Sequence, residues 1–122
     1  MQVTENLLQT HKDVSAIIGM NDESALGAIQ ALKAAGLVKK VAVGGFDGNQ
    51  DGSAAIKSGE MSISYNTDPF GSTYLAATYI VKFLNDGSKP PKFFVPFPSA
   101  VDDPIITSKN IDTYIKDIAW WK

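Results

Sequence analysis

Val14-Ser15-Ala16-Ile17-Ile18-Gly19-Met20-Asn21-Asp22-Glu23-Ser24-Ala25-Leu26-Gly27-Ala28 is the stretch whose reading decides the fold. Residues 14–20 form a short, nearly continuous apolar run, which is how a parallel strand covered on both faces reads. Polar residues follow at once. Asn21 or Asp22 can cap the first amides of a helix whose inward stripe is Ala25, Leu26, Ala28, Ile29 and Leu32, and Gly36 sits where a left-handed terminating residue is needed. The unit is strand, short polar turn, helix.

Working outward, the unit repeats. Residues 3–10 read as an amphipathic helix, and residues 41–46 (Val41-Ala42-Val43-Gly44-Gly45-Phe46) as a second buried strand, with a helix around Ala54, Ala55 and Ile56 that stops at Gly59. Residues 61–66 alternate with period two, as a strand with one less-covered face does. Asp68-Pro69 then opens a helix with Pro in its first turn, where the missing N–H costs nothing, and Asn85-Asp86-Gly87 closes it. Residues 93–97 (Phe93-Phe94-Val95-Pro96-Phe97) are expected to be an edge strand because of Pro96. Residues 98–103 read as a linker, 105–107 as a short extended piece and 111–118 as a last helix before Trp120 and Trp121.

The order predicts an α/β fold: three αβα layers on a mainly parallel sheet of about four strands with right-handed crossovers, a truncated flavodoxin-like lobe. In such sheets ligands meet the loops at the C-terminal strand ends. Those loops hold Asn21 and Asp22, Asp47 and Asn49, and Asn66, Thr67 and Asp68. Short polar side chains that both accept and donate suit a neutral polyhydroxyl ligand. The same side chains at the same places also cap helices, and spacing alone does not separate the two roles.

Composition narrows the chemistry. The chain has 122 residues, enough for one domain, and is 44% hydrophobic and 20% charged, as a globular chain is. Its eleven basic residues are all Lys, its net charge is −2, and without the two-point grip of Arg a nucleic-acid partner is not expected. No Cys is present, which removes disulfides, thiolate metal sites and Cys nucleophiles; a lone His11 in a polar stretch leaves no catalytic triad, so no enzyme is expected. Residues 47–52 imitate half of a calcium loop, but position twelve is Ser58 rather than Glu, so neither metal nor other cofactor is expected. Residues 1–5 show neither the basic start nor the apolar run of a signal peptide.

Taken together, residues 13–28 and Val43-Gly44-Gly45-Phe46-Asp47-Gly48 resemble the C-terminal lobe of periplasmic sugar-binding proteins of the ribose-binding type. The effector domains of lactose-repressor-like regulators share that fold. The similarity continues through residues 56–60, 66–76 and 105–112. It implies a monosaccharide-binding component of an ABC importer, with an ABC permease as partner, held in the periplasm or as an extracellular lipoprotein. Carried over residue by residue, it implies that Asn21 and Asp47 bond sugar hydroxyls. The third contact falls at Thr67, with Asn66 beside it, where ribose-type members commonly carry Gln. It also implies an incomplete lobe over residues 1–107, with a helix and tail at 108–122 that would contact a missing lobe. An effector lobe of a regulator is the alternative within the fold, and a small α/β enzyme or receiver domain the alternative outside it. A sheet cut beside residues 16–20 would expose an apolar edge, so a homodimer is expected.

Overall fold

The computed structural model describes residues 1–91 and 104–122, so the strand expected at 93–97 and the linker at 98–103 lie outside the described residues. Helix α1 (Gln2–Thr10) leads into β1 (Ala16–Ile18), α2 (Asp22–Ala34), β2 (Ala42–Phe46), α3 (Gln50–Lys57), β3 (Ile63–Tyr65), α4 (Pro69–Asp86), β4 (Ile105–Thr107) and α5 (Ile111–Thr113). The last helix does not continue in α form, because residues 114–118 widen into a π-helix.

The strands lie in the order β1-β2-β3-β4, with β1, β2 and β3 parallel and β4 antiparallel to β3. The mainly parallel four-stranded α/β sheet is therefore as expected. Its fourth described strand is the short piece at 105–107, which turns back along β3 and accepts from it: the Asn66 amide donates to the Pro104 carbonyl at 2.8 Å.

Local chemistry sets the boundaries. Asn21, Asn49 and Asp68 each accept a hydrogen bond from a backbone amide three residues on, which starts α2, α3 and α4. The core gathers Ala25, Ile29 and Leu32 of α2, Val43 of β2, Ala55 and Ile56 of α3, Met61 before β3, Ile106 of β4, and Ile111 and Tyr114 of the terminal helix. Each large aliphatic side chain buried there contributes about 1.5–3 kcal/mol.

These residues cover one face of the sheet. The other face carries Ile18, Phe46, Ile63 and Tyr65, all at least 37% exposed, and β1 stands at the sheet edge with Ile18 77% exposed. Helix α4 keeps only Gly71 buried, and Tyr74, Ile80, Val81, Phe83 and Leu84 face outward. Helix α1 packs on α2.

Candidate functional site

All three βα turns lie at the C-terminal end of the parallel strands, and one buried carboxylate ties the first two of them to β3. Asp22, in the first turn of α2, is fully buried. Its Oδ1 accepts from the Ser64 hydroxyl at 2.6 Å and its Oδ2 from the Asn49 amide at 2.9 Å. Ser64 Oγ in turn accepts from the Gly48 amide at 3.2 Å, so α2, the β2–α3 turn and β3 are held by one hydrogen-bonded group. Gly45 and Gly52 make room for it: a Cβ on either would collide with the Asp22 carboxylate. Burial pushes the Asp22 carboxyl above its ordinary value, the bonds from Ser64 and Asn49 oppose that, and the neighbouring Asp47 and Glu23 charges add to it.

Beside this group lies an open cavity of about 180 Å³ lined by Glu23, Asp47, Asn49, Thr67, Pro69 and Trp120. Asp47 follows the last residue of β2 with φ 111°, and Asp68 at the neighbouring turn has φ 43°. Two non-glycine residues held in the left-handed region at one end of the sheet mark turns fixed by their surroundings. The Thr67 hydroxyl donates to Asp47 Oδ1 at a long 3.5 Å, and Asn49 Nδ2 donates to Glu23 Oε1 at 2.7 Å. Partial burial, then the nearby Glu23 charge, raise the Asp47 carboxyl, while the Thr67 bond works the other way.

The structure thus brings Asp47 and Thr67 together. Asn21 is half-buried and outside that lining; its Oδ1 accepts from the Ser24 amide at 2.9 Å as the α2 cap. Asn66 is 5% exposed and also outside it, its Oδ1 accepting from the Asp68 amide at 3.1 Å and so shaping the turn that carries Thr67. The half calcium loop is spent on local structure, since Asn49 Oδ1 accepts from the Gly52 amide at 2.7 Å to start α3. Among the described residues no group of three or more His, Asp or Glu side chains is placed to hold a metal ion.

Three lining residues, Glu23, Pro69 and Trp120, are not among the candidate ligand groups of the strand-end loops. Glu23 and Pro69 directly follow Asp22 and Asp68, which are, so the turns themselves point to them. Trp120 had no local signal. It reaches the cavity from the end of the chain, and its Nε1 donates to the Asp47 carbonyl at 2.9 Å. Its neighbour Trp121 packs against the core.

The lining offers carboxylate and amide acceptors, hydroxyl and amide donors and an aromatic side chain, a set that recognises hydroxyl groups. The cavity lies at the end of a parallel α/β sheet where such folds bind their ligands. The comparisons agree. The pattern of the periplasmic binding protein domain matches residues 1–89, and the chain belongs to that family. It is 52% identical over 69 residues to the ribose import binding protein of Haemophilus influenzae, a stretch covering 57% of this chain and 23% of that protein. It is 32% identical over 126 residues to the D-xylose-binding periplasmic protein of Escherichia coli, covering 96% of this chain and 38% of that one. The structure of an ABC transporter periplasmic solute-binding protein from Actinobacillus succinogenes with bound D-allose superposes with a TM-score of 0.78 at 27% identity, over 93% of this chain and 38% of the other. The chain therefore spans between about a quarter and two-fifths of the length of these relatives.

Proposed function

We propose that this chain supplies one lobe's half of a monosaccharide-binding site in the solute-binding component of an ABC importer, and that it is not an enzyme. The observation that carries this is the placement of the Asp47 carboxylate and the Thr67 hydroxyl in one cavity at the C-terminal end of parallel strands. Asp47 accepts from sugar hydroxyls and Thr67 both accepts and donates. Asn21, whose Oδ1 is taken by the helix, donates from its amide nitrogen, and Asn66 sets the turn. Residues 1–107 are the partial lobe, and residues 108–122 the helix and tail that face the second lobe in a full-length protein. That protein works in the periplasm, or outside the cell on a lipid anchor, and hands its sugar to an ABC permease. The relatives named above bind or import sugars, which favours transport over the effector lobe of a regulator.

Amide chemical-shift titrations with D-ribose, D-xylose and D-allose test the reading. Saturable shifts are expected at Asp47 and Thr67. Asp47→Ala is expected to weaken binding at least about tenfold, because a hydrogen bond to a charged group contributes about 1.5–3 kcal/mol. Thr67→Val is expected to cost about threefold to tenfold, as a neutral hydrogen bond does. Unaltered affinity in Asp47→Ala would overturn the assignment.

A homodimer of the chain is part of the same reading. The exposed β1 edge, with Ile18 and Met20 at 77% and 92% exposure, leaves backbone groups and apolar surface that a second β1 related by a twofold axis would cover. Sedimentation equilibrium at micromolar concentration should give twice 13.1 kDa. A single mass of 13.1 kDa throughout the range would exclude the dimer.

A further inference from the structure

Three side-chain donors from the end of the chain converge on two consecutive carbonyls of the turn that carries Asp47. The Tyr114 hydroxyl donates to the Gly48 carbonyl at 2.6 Å and Trp121 Nε1 to the same oxygen at 3.0 Å, filling both of its lone pairs. Trp120 Nε1 donates to the Asp47 carbonyl at 2.9 Å. These contacts span 66 and 73 residues of sequence, so they are tertiary and not a by-product of the turn. On the other side of the same turn, the Asp47 amide donates to the Tyr65 carbonyl at 2.8 Å and the Gly48 amide to Ser64 Oγ at 3.2 Å. The turn is therefore gripped from the sheet by its amides and from the tail by its carbonyls.

The grip has a cause. Asp47 holds φ 111°, a region that costs a non-glycine residue about 1–3 kcal/mol and persists only when its surroundings over-determine it. Gly48 follows at φ 65°, and a Cβ there would stand 2.5 Å from the Tyr114 hydroxyl and 2.6 Å from Ile106 Cδ1, so the tail is packed as close as glycine permits. Tyr114 opens the π-helix at residues 114–118, and such widened turns recur where a helix must re-aim side chains at a functional site. Here the widened turn delivers Tyr114 to the core and lets the chain arrive with Trp120 at the cavity and Trp121 against the turn.

We propose that residues 114–121 are a working part of the ligand site: Tyr114 and Trp121 are positioning residues that hold Asp47 in its strained conformation, and Trp120 is an aromatic wall of the cavity that contacts the bound sugar. The second half rests on the sugar-site reading above; the first half does not. Trp120 is 39% exposed and lines the cavity with Asp47 and Thr67, so its indole can lie against the C–H face of a ring whose hydroxyls bond the polar residues.

Conservative variants that keep an aromatic ring at each position while removing its donor, Tyr114→Phe and Trp121→Phe, separate the two halves. Without ligand, amide exchange at Asp47, Gly48 and Asn49 is expected to quicken at least about tenfold in the double variant, and more than in the core strand β2. The carbon-detected titration of the Asp47 carboxyl, which faces Glu23, is expected to move back toward the ordinary carboxylate value as the turn loosens and hydrates. A merely structural role would move neither while the melting temperature held, and wild-type exchange with a wild-type titration overturns the positioning role. With D-ribose or D-allose added, the Trp120 indole N–H should shift together with the Asp47 and Thr67 amides, and Trp120→Ala should weaken binding about fivefold or more. Sugar-induced shifts at Asp47 and Thr67 without any at Trp120 overturn the wall. If no sugar shifts Asp47 or Thr67, the sugar-site reading falls together with the wall, and exchange in the Phe variants still decides the positioning role.

Discussion

Replacing Asp22 by Ala should cost about 2–6 kcal/mol, about 1–3 kcal/mol for each of the two donors it strands, a large share of the roughly 5–15 kcal/mol that holds a domain of this size. The fully buried carboxylate accepts from Ser64 and from the Asn49 amide, and Ser64 in turn holds the Gly48 amide. Alanine leaves the buried Ser64 hydroxyl and the part-buried Asn49 amide without their acceptor, and adds a void between Gly45 and Gly52, which are shaped around the carboxylate. Asp22→Asn keeps the shape but turns one acceptor into a donor, which then faces the Asn49 amide or Ser64 Oγ, so about 1–3 kcal/mol is expected. The pH dependence distinguishes the two effects. A carboxyl raised on folding contributes stability that is complete below its unfolded value and is lost as pH climbs through the raised folded value. Wild type should therefore gain on Asp22→Asn as pH falls from about 7 toward about 4, with the gap read from urea midpoints at each pH. A loss in Asp22→Ala smaller than about 1 kcal/mol would show that α2, the β2–α3 turn and β3 are held together by something else.

That carboxylate also shows where reading the sequence stops. The elements were legible because their signals are local. Asn21 and Asp68-Pro69 cap the helices that they precede, Gly36, Gly59 and Gly87 all take positive φ after helix ends, and the apolar runs at 14–20 and 41–46 become β1 and β2. The loops at the C-terminal strand ends were legible because topology fixes them, whereas the choice of Asp47 and Thr67 within them came from the family resemblance; the fold adds that the two line one cavity. Asn21 and Asp22 were not separable in sequence, since both cap residues and ligand residues are short and polar, and only the fold turns one outward and buries the other. The reversal of β4 against β3 and the return of Tyr114, Trp120 and Trp121 to the β2–α3 turn depend on contacts 40 or more residues apart, for which no periodicity exists.

Sugar affinity of this chain alone should be no tighter than about 1 mM, about 4 kcal/mol of binding free energy. Sites for small ligands enclose roughly 300–1,000 Å³ and bury most of the ligand, whereas the cavity at Asp47 is about 180 Å³ and open on one side. A monosaccharide seated there keeps part of its hydroxyls in water and meets the Asp47 carboxylate, the Thr67 hydroxyl, the Asn49 amide and the Trp120 indole, the Glu23 carboxylate already accepting from Asn49 Nδ2. One charge-assisted bond and two neutral ones contribute about 3–6 kcal/mol before the cost of immobilising the sugar, which alone is at least about 4 kcal/mol, so aromatic contact must supply most of the net gain. The open side matters in another way, because water screens the Asp47 carboxylate and weakens each bond it accepts. Calorimetry and amide-shift titration with D-ribose, D-xylose and D-allose should therefore reach half-saturation in the millimolar range or above, while a second lobe closing over the cavity would raise affinity by excluding that water. Micromolar binding by the isolated chain would mean that the cavity at Asp47, Thr67 and Trp120 is complete in itself, and that the division of the site between two lobes is wrong.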